Sequence, residues 1–357
     1  MYALIPNKEI EKFVEFKGAK ISKKEADALR DIERSLGKEF TNYDNVTYAP
    51  MAFKAEEGQV VRLSLNKLSL SEVPRSVKEL SNLRKLSLDE NQIKILPKFI
   101  GDLHLLRELR ILKNELTEIP KSIEKLTSLE WLNLRRNNLT ELPASIGRLQ
   151  SLEELDLSYN NLKELPRTIG DLMNLKILFC ANNKLTELPE SITNLSKLQT
   201  ISIGDNPISE FPEFLEKVRS LVDLDIERCE ISELPESFGN LTNLKTIWAS
   251  GGKLRVLPDT FGKLKSLEYL DIAFNELKSL PESILSLQNL VTFNISYNPF
   301  KQFPKQILKL PSLEEVVLSD HQQEIYKKEI EELERNGVTI GKSISKNYYQ
   351  RLHKKYN

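Results

Sequence analysis

Proline recurs every 23 residues from Pro74 to Pro304, at Pro74, Pro97, Pro120, Pro143, Pro166, Pro189, Pro212, Pro235, Pro258, Pro281 and Pro304. A fixed apolar frame travels with it. Counted from its first apolar residue, each repeat is apolar at positions 1, 4, 6, 11, 14, 18 and 21, with proline at position 15. Eleven copies start at Val60, Leu83, Leu106, Leu129, Leu152, Leu175, Leu198, Leu221, Leu244, Leu267 and Leu290, and an incomplete twelfth starts at Leu313. No residue is inserted or lost between copies. A unit this short cannot bury its apolar side alone, so the copies must stack into a solenoid with a continuous core.

The frame assigns a role to each position. Apolar residues at positions 4 and 6 alternate with polar ones, the period of a strand; in the fifth repeat they are Leu155 and Leu157. Neighbouring copies would pair these strands into one parallel sheet, about 4.8 Å per step. Asn at position 9 can bond backbone groups where the chain leaves the strand. Eight copies keep it: Asn91, Asn114, Asn137, Asn160, Asn183, Asn206, Asn275 and Asn298. Leu68, Cys229 and Gly252 stand there instead, and the ladder is expected to loosen at those three places. Proline at position 15 has no N–H and ends the pairing. The arc after it, ESFGNL in the eighth repeat, is expected to form a short helical turn on the convex side.

The L-x-x-L-x-L-x-x-N-x-L frame with an LPxSIxxL second half, as in LPASIGRL and LPESITNL, resembles the intracellular 23-residue leucine-rich repeats of Ras-scaffold, plant Ras-group and prokaryotic cytosolic proteins. The resemblance covers residues 60–312. It implies an α/β leucine-rich-repeat solenoid, a right-handed horseshoe with a parallel concave sheet. It also implies a non-enzymatic, cytoplasmic scaffold for protein–protein interaction, with a small GTPase or other signalling protein as the partner class.

The open ends of such a stack need caps. Residues 1–59 lack the frame and are read as an N-terminal cap. A short helix is expected over about 7–17. A second follows in SKKEADALRDIERSL, opened by a Ser22–Glu25 capping box and burying Ala26, Leu29, Ile32 and Leu36. TYAPMAFKAEEGQVVRLSL reads as a hairpin turning at Glu57-Gly58. Residues 313–341 are read as the partial repeat and a capping helix, QEIYKKEIEELERNG, closed by Gly337. Residues 342–357 form a basic tail, with Lys342, Lys346, Arg351, Lys354 and Lys355 and no acid.

Several classes are disfavoured. The net charge is −1, which gives no bulk argument for nucleic acid or a membrane. No apolar run reaches transmembrane length, and the start has no apolar signal segment. Cys180 and Cys229 lie two repeats apart, too far to bridge. His104, His321 and His353 are scattered, without metal-ligand spacing. No catalytic or phosphate-loop motif stands intact; NGVTIGKS has Asn336 where such a loop needs glycine. Neither an enzyme nor a cofactor is expected.

Function is therefore read from positions 2, 3, 5, 7 and 8, which the frame leaves free. Repeats two to four carry Arg84, Lys85, Arg107, Arg110, Lys113, Arg135 and Arg136, partly offset by Asp89, Glu90, Glu108 and Glu130. Repeat five carries Glu153, Glu154 and Asp156, and repeat eight Asp223, Asp225 and Glu227 beside Arg228. Seven rings also stand at these positions: Trp131, Tyr159, Phe179, Trp248, Tyr269, Phe274 and Tyr297. Exposed Trp, Tyr and Arg carry interface energy. The expected site is thus a protein partner held on the concave face by these rings, with Arg110, Arg135 and Arg136 contributing carboxylate contacts. The competing readings are ion pairs and ring stacks that only stiffen the sheet, an effector that blocks an enzyme, and a self-associating module. A monomer is expected.

Overall fold

The computed structural model describes residues 13–42 and 49–342. The chain divides into two compact units, Met1–Asn161 and Leu162–Asn357.

The first unit opens with an antiparallel hairpin, β1 (Phe13–Phe16) and β2 (Ala19–Ser22), turned through Lys17 and Gly18 at φ 49° and 78°. This corrects the expectation of a helix over 7–17. Phe13, Val14 and Phe16 favour strand, and Lys-Gly supplies the two positive φ values of a tight hairpin turn. Residues 7–12 lie outside the described residues. Helix α1 (Lys23–Leu36) follows, capped by the Ser22 side chain on the Glu25 N–H and closed by Gly37 at φ 61°. The capping box is only half formed. The Glu25 carboxylate instead accepts from the Ser22 hydroxyl (2.9 Å) and the Val60 N–H (3.1 Å), tying the helix to the first repeat strand. Strand β3 (Thr41–Asn42) pairs parallel with β4 (Met51–Glu56), and β4 runs antiparallel to β5 (Gln59–Leu65). Glu57 and Gly58, at φ 51° and 83°, make the turn between them.

From β5 onward the first unit repeats. Lys85–Ser87, Glu108–Arg110, Trp131–Asn133 and Glu154–Asp156 pair in parallel, each residue opposite the one 23 further on. In the second unit the strands Ile177–Phe179, Thr200–Ser202, Asp223–Asp225, Thr246–Trp248, Tyr269–Asp271 and Thr292–Asn294 keep the same register, and Glu315–Leu318 follows. Each proline at position 15 precedes a five-residue 3-10 turn, such as Ala144–Arg148 and Glu190–Asn194. Leu155, Leu157, Leu162, Ile169 and Leu172 are fully buried, as the frame requires.

Three local devices hold the stack. First, each position-9 asparagine acts as a backbone bracket. Asn206 donates to the carbonyls of Cys180 (3.0 Å) and Ile203 (2.8 Å) and accepts from the Leu185 N–H (2.9 Å). Cys229 substitutes a thiol contact to the Ile203 carbonyl, at 3.4 Å. Second, position 8 lies in the left-handed region in both units: Glu90, Lys113, Arg136 and Tyr159 in one, Asn182, Asp205, Arg228, Gly251, Phe274 and Tyr297 in the other. Third, in the five repeats with Gly101, Gly147, Gly170, Gly239 or Gly262 at position 19, the missing side chain lets successive turns approach closely. A Cβ on Gly170 would lie 2.2 Å from the Ser191 carbonyl oxygen, and one on Gly262 2.2 Å from that of Ser283.

The C-terminal end of the second unit differs from expectation. The single helix over QEIYKKEIEELERNG is two, α2 (Asp320–Ile325) and α3 (Lys327–Arg335), broken at Tyr326. The tyrosine is held elsewhere. Its hydroxyl donates to the Phe300 carbonyl (2.9 Å) and its ring packs edge-on to Phe303. Ser319 and Gln322 form a complete capping box, and Gln322 also donates to the Ile295 carbonyl (3.3 Å), extending the asparagine ladder by one step. Thr339–Lys342 then pairs parallel with Glu315–Leu318. The tail beyond Lys342 lies outside the described residues.

Candidate interaction surface

The free positions face the side of each sheet opposite the leucine core, but not all remain accessible. In the first unit most cations are already engaged. Arg110 donates to Asp89 at 3.0 Å, Arg107 lies 3.1 Å from Glu130, Lys113 3.0 Å from Glu90, and Lys85 pairs with Glu108. The two exposed pairs, Arg107–Glu130 and Lys113–Glu90, contribute at most about 1 kcal/mol each. Burial raises the Asp89 carboxyl above the usual range despite the Arg110 guanidinium beside it. Arg135 is buried, contrary to expectation, with its guanidinium carbon 4.6 Å from the Tyr159 ring centre. Arg136, in the left-handed conformation, stacks on the same ring at 5.2 Å. Tyr159 thus sits against two guanidinium groups, a favourable cation–π arrangement. Trp131 remains 36% exposed.

In the second unit the rings divide into two groups. Phe179 and Trp248 are 5% and 7% exposed, which corrects the expectation of open rings there. Their register explains the burial. Phe179, Ser202, Asp225 and Trp248 lie in one row across four strands, and the two large rings close over the two small residues between them. Ser202 and Asp225 are left 0% and 1% exposed beneath that roof. Tyr269, half-buried, extends the roof with its ring centre 4.2 Å from that of Trp248. Phe274 and Tyr297 behave differently. They stand at position 8 of adjacent repeats, 47% and 48% exposed, and stack at 4.0 Å with planes 12° apart. The left-handed backbone at position 8 turns these side chains away from the roofed row.

The roofed acids are structural in part. Asp225 accepts from the Glu227 N–H (2.9 Å) and the Ser202 hydroxyl (2.5 Å). Position-5 Asp or Asn makes the same turn-capping bond in Asp156, Asp271 and Asn294. Burial, then the nearby Glu227 charge, pushes the Asp225 carboxyl up to about 8. Glu227 is likewise raised by burial. In the first unit burial, then the Asp156 charge, pushes Glu154 up to about 7. Burial pushes the Cys229 thiol up to about 12, so it is not a nucleophile at neutral pH.

The solved structures and family models decide the family. Models of a leucine-rich repeat region match residues 121–204 and 169–254, and a leucine rich repeat model matches 247–300. A leucine-rich-repeat protein of Leptospira interrogans is 30% identical, over 80% of this chain and 79% of its own, with a TM-score of 0.71. The chain belongs to the leucine-rich-repeat family. The plant peptide hormone receptor RGFR1 in complex with RGF2 is 28% identical over 75% of this chain and 49% of its own, with a TM-score of 0.64, so the leucine-rich-repeat chain spans about half of that receptor. An internalin of Listeria monocytogenes, 20% identical over 90% of both chains at a TM-score of 0.67, shows the fold alone. No curated protein matched. Leucine-rich-repeat proteins are protein–protein interaction modules, and that coarse function holds for this chain. Among the described residues no helix is long and apolar enough to cross a membrane, and no group of three or more His, Cys, Asp or Glu is set to hold a metal.

One charged surface of this leucine-rich-repeat chain escapes a reading confined to the strand positions. In the second unit, position 13 carries Glu164, Glu187, Glu210 and Glu233, and position 16 carries Glu190, Glu213, Glu236, Asp259 and Glu282, all exposed. Two rows of carboxylates therefore flank the prolines. A groove of about 880 Å³ opens between them beside Phe214.

Proposed function

We propose that the chain binds a partner protein across the exposed face of its sheet, with the Phe274–Tyr297 stack as the principal anchor. One observation carries this reading. Two large rings stand face to face and half exposed on left-handed backbone positions of adjacent repeats. Clustered apolar exposure of this kind marks partner sites, and rings with few rotamers lose little entropy on binding. Tyr269 lies in the same repeat as Phe274 and packs on Trp248. Trp248 and Phe179 support the face from beneath and act by holding its shape. Trp131, Tyr159, Arg136 and Arg110 belong to a second contact area in the first unit. The LPxSIxxL resemblance makes a small GTPase the first partner class to assay.

The test compares wild type, the Phe274→Ala/Tyr297→Ala double variant and a Val256→Ala control. All three are immobilised against cell lysate and a panel of purified small GTPases. The double variant is expected to weaken the recovered complex at least tenfold, about 1.4 kcal/mol or more, with circular dichroism unchanged and the control unaffected. Equal affinities for wild type and double variant would remove this stack from the site.

A further inference from the structure

The first unit holds a groove of about 480 Å³ lined by Glu56, Val61, Arg62, Arg84, Lys85, Arg107, Glu108, Glu130 and Trp131. Its charges follow from register. Lys54, Arg62, Lys85, Glu108 and Trp131 stand opposite one another on five successive strands, so three cations occupy adjacent rungs. Like charges directly opposed destabilise a sheet. The neighbouring acids answer most of the cations. Lys54 lies 3.8 Å from Glu56, Arg84 3.2 Å from Glu56, Arg107 3.1 Å from Glu130, and Lys85 is paired with Glu108. Arg62 is different. It is half-buried in the middle of the cation row and forms no ion pair among the described residues. A guanidinium lining the groove without an acid partner has donors to offer a group that enters it. The 36% exposed indole of Trp131 forms the opposite lip, with only the Lys85–Glu108 pair between it and Arg62.

We propose that this groove reads an acidic segment of the protein partner, an Asp or Glu carboxylate seated on Arg62 and an adjacent apolar side chain on Trp131. The inference rests on the interaction function proposed above and names the chemistry of a second contact. The lining carries Arg62, Arg84, Lys85 and Arg107 against Glu56, Glu108 and Glu130, an excess of one positive charge that one carboxylate would balance. Arginine suits the role because its planar fork meets a carboxylate with two parallel hydrogen bonds. Glu108 is 7% exposed and committed to Lys85, so it holds that lysine away from the incoming group and leaves Arg62 as the recognition element.

Panning a random peptide library on the full chain tests this. The expected selection is enriched in Asp or Glu next to an apolar residue. The selected peptides should bind Arg62→Gln and Trp131→Ala at least tenfold more weakly than wild type, with a salt-dependent affinity. Arg62→Glu should reverse the preference toward basic peptides. Phe274→Ala/Tyr297→Ala should leave these peptides bound, which separates this groove from the stack in the second unit. A selection without acidic enrichment, or acidic peptides that bind Arg62→Gln as tightly as wild type, would overturn the proposal while leaving the Phe274–Tyr297 reading standing.

Discussion

Asp225→Asn is expected to raise the melting temperature at pH about 8 and to flatten its pH dependence. The cause is the roof of Phe179 and Trp248, which removes a carboxylate from water and sets it beside Glu227, Asp205 and Arg228. An unfolded aspartate ionises near pH 4, whereas the folded Asp225 holds its proton up to about 8. Between those values the native state binds a proton that the unfolded chain has released. Stability therefore falls as pH rises through that window, by up to about 1.4 kcal/mol per pH unit for each such proton. Below about pH 4 both states are protonated and the contribution is constant. Asparagine keeps the carbonyl oxygen that accepts the Glu227 N–H and removes the charge. A gain in stability at pH 8 that shrinks toward pH 5 is the expected result. Thermal melts of wild type and variant across that range decide it, and parallel curves would show that the roof does not desolvate the carboxyl.

Gly170→Ala is expected to be among the most damaging single substitutions in the second unit. The added methyl would meet the Ser191 carbonyl oxygen at 2.2 Å, a backbone atom that cannot rotate aside. The turn Arg167–Asp171 would have to separate from Glu190–Asn194, exposing Ile169 and Ile192 at the core. Overpacking of this kind costs about 1–3 kcal/mol and can cost more. In a stack held only by neighbours, that loss falls on one interface. Hydrogen exchange should accelerate first in the amides of these two turns, with distant strands changing later. Thr193→Gly, at the equivalent position of the next repeat, should not destabilise through this route. Uniform protection in Gly170→Ala would show that the turns are not in tight contact.

The repeat frame was legible because its signal is periodic. Leucine spacing, the position-15 prolines and the asparagine ladder gave the solenoid, the strand positions and the turns. Failures occurred where side chains act across repeats rather than along the sequence. Phe179 and Trp248 look like surface rings at free positions, yet the small residues Ser202 and Asp225 between them let the rings close. Asp156 and Asp225 read as surface charge, but position-5 acids cap the turn after the strand. Arg135 read as an exposed contact and is buried against Tyr159. The acidic flank at positions 13 and 16 was visible as aligned glutamates, once columns outside the strand are compared. Arg62 was missed because the basic row was drawn from repeats two to four, although Arg62 occupies the same position of the first repeat as Lys85 and Trp131 in theirs. The N-terminal hairpin was hidden by charged residues alternating with apolar ones, a pattern that both helix and strand can accept when the segment is short.

The central claim is that the leucine frame positions a set of exposed sheet-side residues, and that these meet the partner. Site-specific photo-cross-linking addresses it directly. A photoreactive phenylalanine analogue would replace Tyr297 in one preparation and Val256, 50% exposed near the proline turn, in another. A discrete adduct from position 297, competed away by unlabelled wild-type chain and absent from position 256, is the expected result. Adducts of equal yield from both positions, or from position 256 alone, would contradict it.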